Sequence, residues 1–297
     1  MSFRYKGVLC TLNNYSELFG SLSEDFIDEI RLAILDDTQI GGYLDETIKS
    51  VDGANKLSQI RKALRDFVPV EFISLKVSAE ITSLVRELYL KQGADGLAKA
   101  GKYFPKTTSL LVVPEEILKH ILLLLIEDID ISRINFIHVN KANIDIIAAG
   151  LLKGYPMWLV AEGGYSKEYL SLLVSAMRLG LDIHPFCEED WSSERINCLV
   201  QNADSVKRYN ILAYVSPKFD EGRLREIIYA ANNHIDFARL CQKDSEGNPL
   251  FNEYQMSVLS RAMLRGIPID EICDWRMSDL EMEKYLESVI GEDTSSM

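Results

Sequence analysis

Three stretches of this chain say nearly the same thing: "YSKEYLSLLVSAMRLGLDIHPFC" (165–187), "FDEGRLREIIYAANNHIDFARLC" (219–241) and "FNEYQMSVLSRAMLRGIPIDEIC" (251–273). An internal repeat constrains the fold more than composition does. A unit this short cannot bury its own apolar face and must stack on its neighbours. The units align on a turn residue at Gly154, Gly180, His234 and Gly266. A step of 26 residues links Asp128, Gly154, Gly180 and Val206, so Asp128 and Val206 are read as turns too. Later steps are longer, and their extra residues fall in polar loops such as "QKDSEGNP" (242–249).

Ten places before each turn stands an apolar residue: Leu118, Ile144, Leu170, Ile196, Leu224 or Met256. Seven before it stand Ile121, Ile147, Leu173, Leu199, Ile227 and Leu259, and three before it Leu125, Leu151, Met177, Ala203, Ala231 and Met263. Offsets of three and four residues place these on one stripe of an α-helix. Four before the turn the residue is often small (Gly150, Ala176, Ala230, Ala262), as expected where a neighbouring helix crosses closely. Tyr165, Trp191, Phe219 and Phe251 each precede a capping type, Ser166, Ser192, Asp220 or Asn252. That order predicts an N-cap with a hydrophobic staple from the aromatic residue to the first stripe residue. After the turn, apolar residues spaced as in Ile235, Phe237 and Leu240 predict a second, shorter helix, often begun by Asp or Pro. Reading "INFIHV" and "MWLVA" as strands would give an α/β horseshoe instead, but the spacing by three in "IDFARLC" and "IDEIC" favours helix.

The N-terminal third carries the pattern less cleanly: "SEDFIDEIRLAILDDTQIGGYL" supplies cap Ser23 and stripe Ile27, Ile30 and Ile34. "SAEITSLVRELYLKQG" fits only in a slipped register, and residues 3–12 do not fit, reading as a cap or strand. The fold expected is all-α, an α-solenoid of about ten helix–turn–short-helix repeats with a 26-residue base period. Its parts are an N-terminal cap (1–22), degenerate N-terminal repeats (23–109), regular repeats (110–291) and a tail (292–297).

"EIRLAILDDTQI" and "YVSPKFDEGRLREIIYAANNHIDF", with the Gln255-Met256 pair, resemble degenerate repeats of the form EIRxGLxxGLDVxxYAxPxF. Such repeats occur in helical-repeat proteins of bacterial phages and mobile elements. The chain departs from them at Asn233-His234, which replaces the usual turn, and at Val206, which lacks the glycine. The resemblance implies a helical array and a phage or mobile-element setting; it carries over no catalytic residue.

Forty-five acidic against 32 basic residues give a formal net charge of −13. Such a balance is poorly suited to neutralising phosphates and better suited to a basic protein partner or to imitating a polyanion. Basic groups such as Arg61, Lys62, Arg65, Arg223 and Arg225 would have to line one face for nucleic acid to bind, which is the alternative function. An enzyme with an unrecognised site is the third. "ILLLLI" (121–126) is far shorter than the roughly 20 apolar residues of a membrane span. No membrane association is expected. Five cysteines without a CxxC pair, in a chain opening without a signal peptide, point to free thiols and a cytoplasmic setting.

Chemistry-bearing patterns are scarce. Cys187, Cys241 and Cys273 share one repeat slot, seven after the turn, where other units have Ala161, Ala213 and Asn135, and so read as small core residues. His120, His138, His184 and His234 make no metal-ligand spacing, and the Gly-Gly pairs in "IGGYLDE" and "EGGYSKE" match no phosphate loop. No catalytic residue, cofactor or metal is therefore expected. Partner-binding candidates are the aromatic and basic insertion "KYFPKTT" (Lys102, Tyr103, Phe104, Lys106) and the acidic clusters Glu188, Glu189, Asp190 and Asp270, Glu271, Asp274. The expected activity is non-enzymatic binding of another protein with a basic contact surface, as an adaptor or a phage-borne or mobile-element inhibitor of host defence. Oligomeric state is open.

Overall fold

The computed structural model describes residues 1–104, 112–270 and 272–295, with side chains through residue 290. The chain is all-α and solenoid-like, with 58% of it helical and successive helices packed in sequence order. It divides into two compact units, Met1–Gly164 and Tyr165–Met297.

The first unit opens with strands β1 (Phe3–Tyr5) and β2 (Val8–Cys10), paired antiparallel with Phe3 opposite Cys10. Helices α1 (Tyr15–Phe19), α2 (Glu24–Leu35), α3 (Leu44–Ile48), α4 (Gly53–Arg65), α5 (Ala79–Ala100), α6 (Glu115–Ile126) and α7 (Ile144–Leu152) follow. Phe3, Cys10 and Phe19 close over Phe26, Ile30 and Ile34, so the hairpin and α1 cover the apolar end of α2. The second unit contains α8 (Lys167–Arg178), α9 (His184–Glu188), α10 (Ser193–Gln201), α11 (Ala203–Arg208), α12 (Glu221–Asn232), α13 (Glu253–Leu264) and α14 (Asp279–Ser295). Within each unit the long helices pack one on the next: α2, α4, α5, α6 and α7 in the first, α8, α10, α12, α13 and α14 in the second.

The expected stripe is largely core: its first two positions are buried throughout the regular repeats, while Met177 and Met263 at the third, and Ile27 in the N-terminal third, are only half-buried. Leu118, Ile121, Leu170, Leu173, Leu224, Ile227, Met256 and Leu259 are wholly buried. The caps form as the spacing predicts: Ser166, Ser192, Asp220 and Asn252 accept the backbone N–H of Tyr169, Arg195, Arg223 and Gln255. Trp191, Phe219 and Phe251 are buried in front of them. Ser23 stands at the N-cap of α2, but its side chain makes no cap hydrogen bond.

Helix ends repeat equally closely. Asp37, Phe67, Asp128, Gly154, Gly180, His234 and Gly266 all have φ between 56° and 76°. At Gly154 its N–H donates to Leu151 O (2.9 Å) and the Tyr155 N–H to Gly150 O (3.0 Å), the paired bonds of a Schellman end. The same pair recurs around the other six. At Gly150 the small residue four before the turn is not explained by a neighbouring helix. A Cβ there would lie 2.4 Å from the Met157 sulfur, so it is the unit's own post-turn residue that needs the space.

Three expectations are corrected. Val206 is no turn: it is buried inside α11, and the left-handed residue is Asn210 (φ 51°), one helical turn later, where Asn tolerates that backbone. The second helix of a unit is usually a single 3₁₀ turn, as at Met157–Leu159, Ile211–Ala213 and Phe237–Arg239, and only α9 among these is an α-turn. Residues 127–140 hold no helix: Asp130 and Asn135 accept the backbone N–H of Ser132 and Ile137 and hold the chain in turns instead.

A polar rung joins neighbouring repeats. The N3 residue of a long helix donates to a backbone carbonyl of the segment that leads to the next long helix: Tyr169 to Phe186 O, Arg195 to Pro217 O, Arg223 to Phe251 O and Gln255 to Met277 O. In the first unit Lys56, one residue further into α4, donates to Leu75 O ahead of α5. Side chains of four kinds serve because each only has to carry a donor across to a carbonyl that the short connection leaves unpaired.

Candidate functional site

Two features that stand apart in sequence, the acidic step at 188–190 and the insertion at 242–249, meet at one cleft. About 750 Å³ in volume, it is lined by Glu189, Asp190, Arg195, Ser216, Pro217, Lys218, Lys243, Glu246, Gly247 and Asn248. The acidic step is pinned where the Trp191 N–H donates to Glu189 O (3.0 Å) and the indole stacks edge-on against Phe186 (5.4 Å). Glu188, Glu189 and Asp190 are exposed and have no ion-pair partner among the described residues.

The insertion is ordered by its own polar groups. The Asp244 carboxylate accepts the Glu246 N–H (2.9 Å), the Asn248 N–H (2.8 Å) and the Asn248 side-chain amide (2.9 Å). These bonds, led by that of the Asn248 side chain, hold the carboxyl below its usual range. Gly247 supplies φ 82° at the tip, and Lys243 pairs with Pro249 at the base. Lys218 ties the loop to the segment before α12 by donating to Glu246 O (2.7 Å), and the Lys243 ammonium lies 5.4 Å from the Phe219 ring centre.

The other candidates go elsewhere. Tyr103 and Phe104 are withdrawn as docking residues. Tyr103 is 0% exposed, set edge-on to Phe136 (5.8 Å), with its hydroxyl donating to Ile134 O (3.3 Å). Phe104 is buried edge-on to Phe72 (5.4 Å). Lys102 is exposed, 4.7 Å from the Tyr103 ring centre, in a cleft of about 420 Å³ with Lys99, Asp128 and Asp130. Asp270 is paired with Arg239 (2.7 Å), and Asp274 is exposed and accepts the Arg276 N–H (3.0 Å). Lys106 and Glu271 lie outside the described residues. Sequence reasoning missed Arg195, Ser216 and Lys218 as cleft residues, since they come from two segments with no shared motif.

The basic groups that would have to face nucleic acid are largely engaged. Arg61 is buried between Glu29 and Asp36, Arg65 pairs with Asp66, Arg223 with Asp220 and Arg225 with Glu221. Among the described residues no group of three or more His, Cys, Asp or Glu side chains could hold a metal ion. No helix among them is long and apolar enough to cross a membrane.

All five cysteines are free, and burial raises the pKa of each, that of Cys241 to about 12. A thiol whose folded value is raised contributes stability in full below its ordinary value near 9, and loses it as pH climbs towards 12. Cys241 in the folded chain should therefore react with iodoacetamide at pH 8 on the order of tenfold or more slowly than in denaturant. Mass spectrometry of the labelled peptide reads this, and equal rates would show that the thiol is open.

The fold is that of an all-α, solenoid-like protein, and its second unit carries a cleft lined by charges of both signs. No family model, no curated protein and no solved structure matches the chain.

Proposed function

We propose that the chain is a non-enzymatic helical-repeat protein that binds another protein through an acidic surface, its partner being basic at the contact. The observation that carries this is the run of three exposed carboxylates, Glu188, Glu189 and Asp190, without ion partners among the described residues on a scaffold where many other charges are paired. An adaptor or an inhibitor of a host defence system, in a phage or mobile element, is the setting that the repeat resemblance supports.

The test uses the partner captured on the immobilised full chain and identified by mass spectrometry. Glu188→Gln, Glu189→Gln and Asp190→Asn together should slow association at low salt while leaving dissociation nearly unchanged, because rim charges chiefly steer encounter. The difference should close near physiological ionic strength, where the screening length is about 8 Å. An association rate unchanged at low salt would overturn the reading.

A further inference from the structure

The cleft beside the acidic step is not simply negative. Glu189 and Asp190 line it together with Lys218 and Lys243, and no ammonium–carboxylate salt bridge forms across it. Charges of opposite sign thus share one cleft without pairing directly. Lys218 is fixed by the Glu246 carbonyl and Lys243 rests over Phe219, yet each ammonium has three donors and keeps some free. Arg195 is bound to Pro217 O, which braces the wall between them. Ser216 completes that wall, and its Oγ has no hydrogen-bond partner among the described residues. The cleft is open along its length, and about 750 Å³ leaves room for a few residues of chain to lie in it.

We propose that this cleft takes an extended peptide segment of the partner protein bearing charges of both signs. A lysine or arginine of that segment sits against Glu189 and Asp190, and a carboxylate sits against Lys218 and Lys243. The proposal rests on the protein-binding reading above and makes it more specific. A purely basic segment would meet the two lysines and a purely acidic one the two carboxylates, so the walls select by repulsion as well as attraction. Little ordering of the site is needed on binding, since the insertion is already held by Asp244 and Lys218.

The full chain would be titrated, by NMR or calorimetry, with capped peptides carrying one arginine and one aspartate separated by one to four glycines, in both orders. Matched peptides with two arginines or two aspartates serve as comparison. The best mixed peptide should bind on the order of tenfold more tightly than either comparison, and Lys218→Glu with Lys243→Glu should remove that advantage. Equal binding by the two-arginine peptide would overturn the dipolar site while leaving the acidic-surface reading intact. Binding of the mixed peptide that survives the double lysine variant, or no binding of any mixed peptide at millimolar concentration, would overturn the site as well. In those cases the acidic-surface reading is decided separately by its association rate.

Discussion

Replacing Tyr103 by alanine is expected to lower the free energy of unfolding by about 3–5 kcal/mol, the cost of deleting a buried aromatic ring and leaving a cavity. The ring is completely enclosed, meets Phe136 edge-on and carries its hydroxyl to the Ile134 carbonyl. Tyr103→Phe keeps the ring and should cost only about 1 kcal/mol, the net worth of one hydrogen bond. Lys102→Ala, one residue away on the surface, should stay within about 0.5 kcal/mol of wild type. Urea unfolding midpoints with unchanged m-values measure all three. A docking tyrosine would show the opposite pattern, with stability untouched and a faster off-rate from a partner. A Tyr103→Ala loss below about 1 kcal/mol would remove the core assignment.

Tyr103 also shows where reading the sequence runs out. "KYFPKTT" has the composition of a contact loop, and nothing local says otherwise. What buries Tyr103 and Phe104 is Phe136 and Phe72, each about thirty residues away along the chain, and composition carries no record of such pairings. Arg61 reads as part of a basic face for the same reason: its partners are Glu29 on α2 and Asp36 at the C-cap of that helix. Repeat features were legible because they are local. A stripe at offsets of three and four, a cap before it and a left-handed residue after it all lie within one unit. The unit length was legible only while that length held. Where α10 and α11 carry the chain one turn further, the 26-residue step pointed to Val206, while the backbone turns at Asn210. The cleft was half visible. Its acidic step is among the partner-binding candidates, whereas its insertion reads only as a polar excursion from the period; their meeting depends on how units stack, and the braces Arg195 and Lys218 act on backbone carbonyls, which sequence patterns do not display.

The same logic of local pattern and distant packing predicts a sharp contrast between two adjacent leucines of α6. Seven of its twelve residues are buried, the largest fraction in any helix of the described chain, and it packs against both α5 and α7. Leu122 is completely buried, whereas Leu123 is 38% exposed. Leu122→Ala should cost about 2–5 kcal/mol, the sum of lost transfer energy and an unfilled cavity between three helices. Leu123→Ala loses less burial and gains slightly from alanine's higher helix propensity, so its loss should stay under about 1 kcal/mol. Because the two changes remove the same atoms from the same helix turn, their difference isolates the packing contribution from propensity and denatured-state effects. A fall in unfolding free energy of under about 0.5 kcal/mol for Leu122→Ala, or equal losses at the two sites, would mean that α6 is not the packed centre of the first unit.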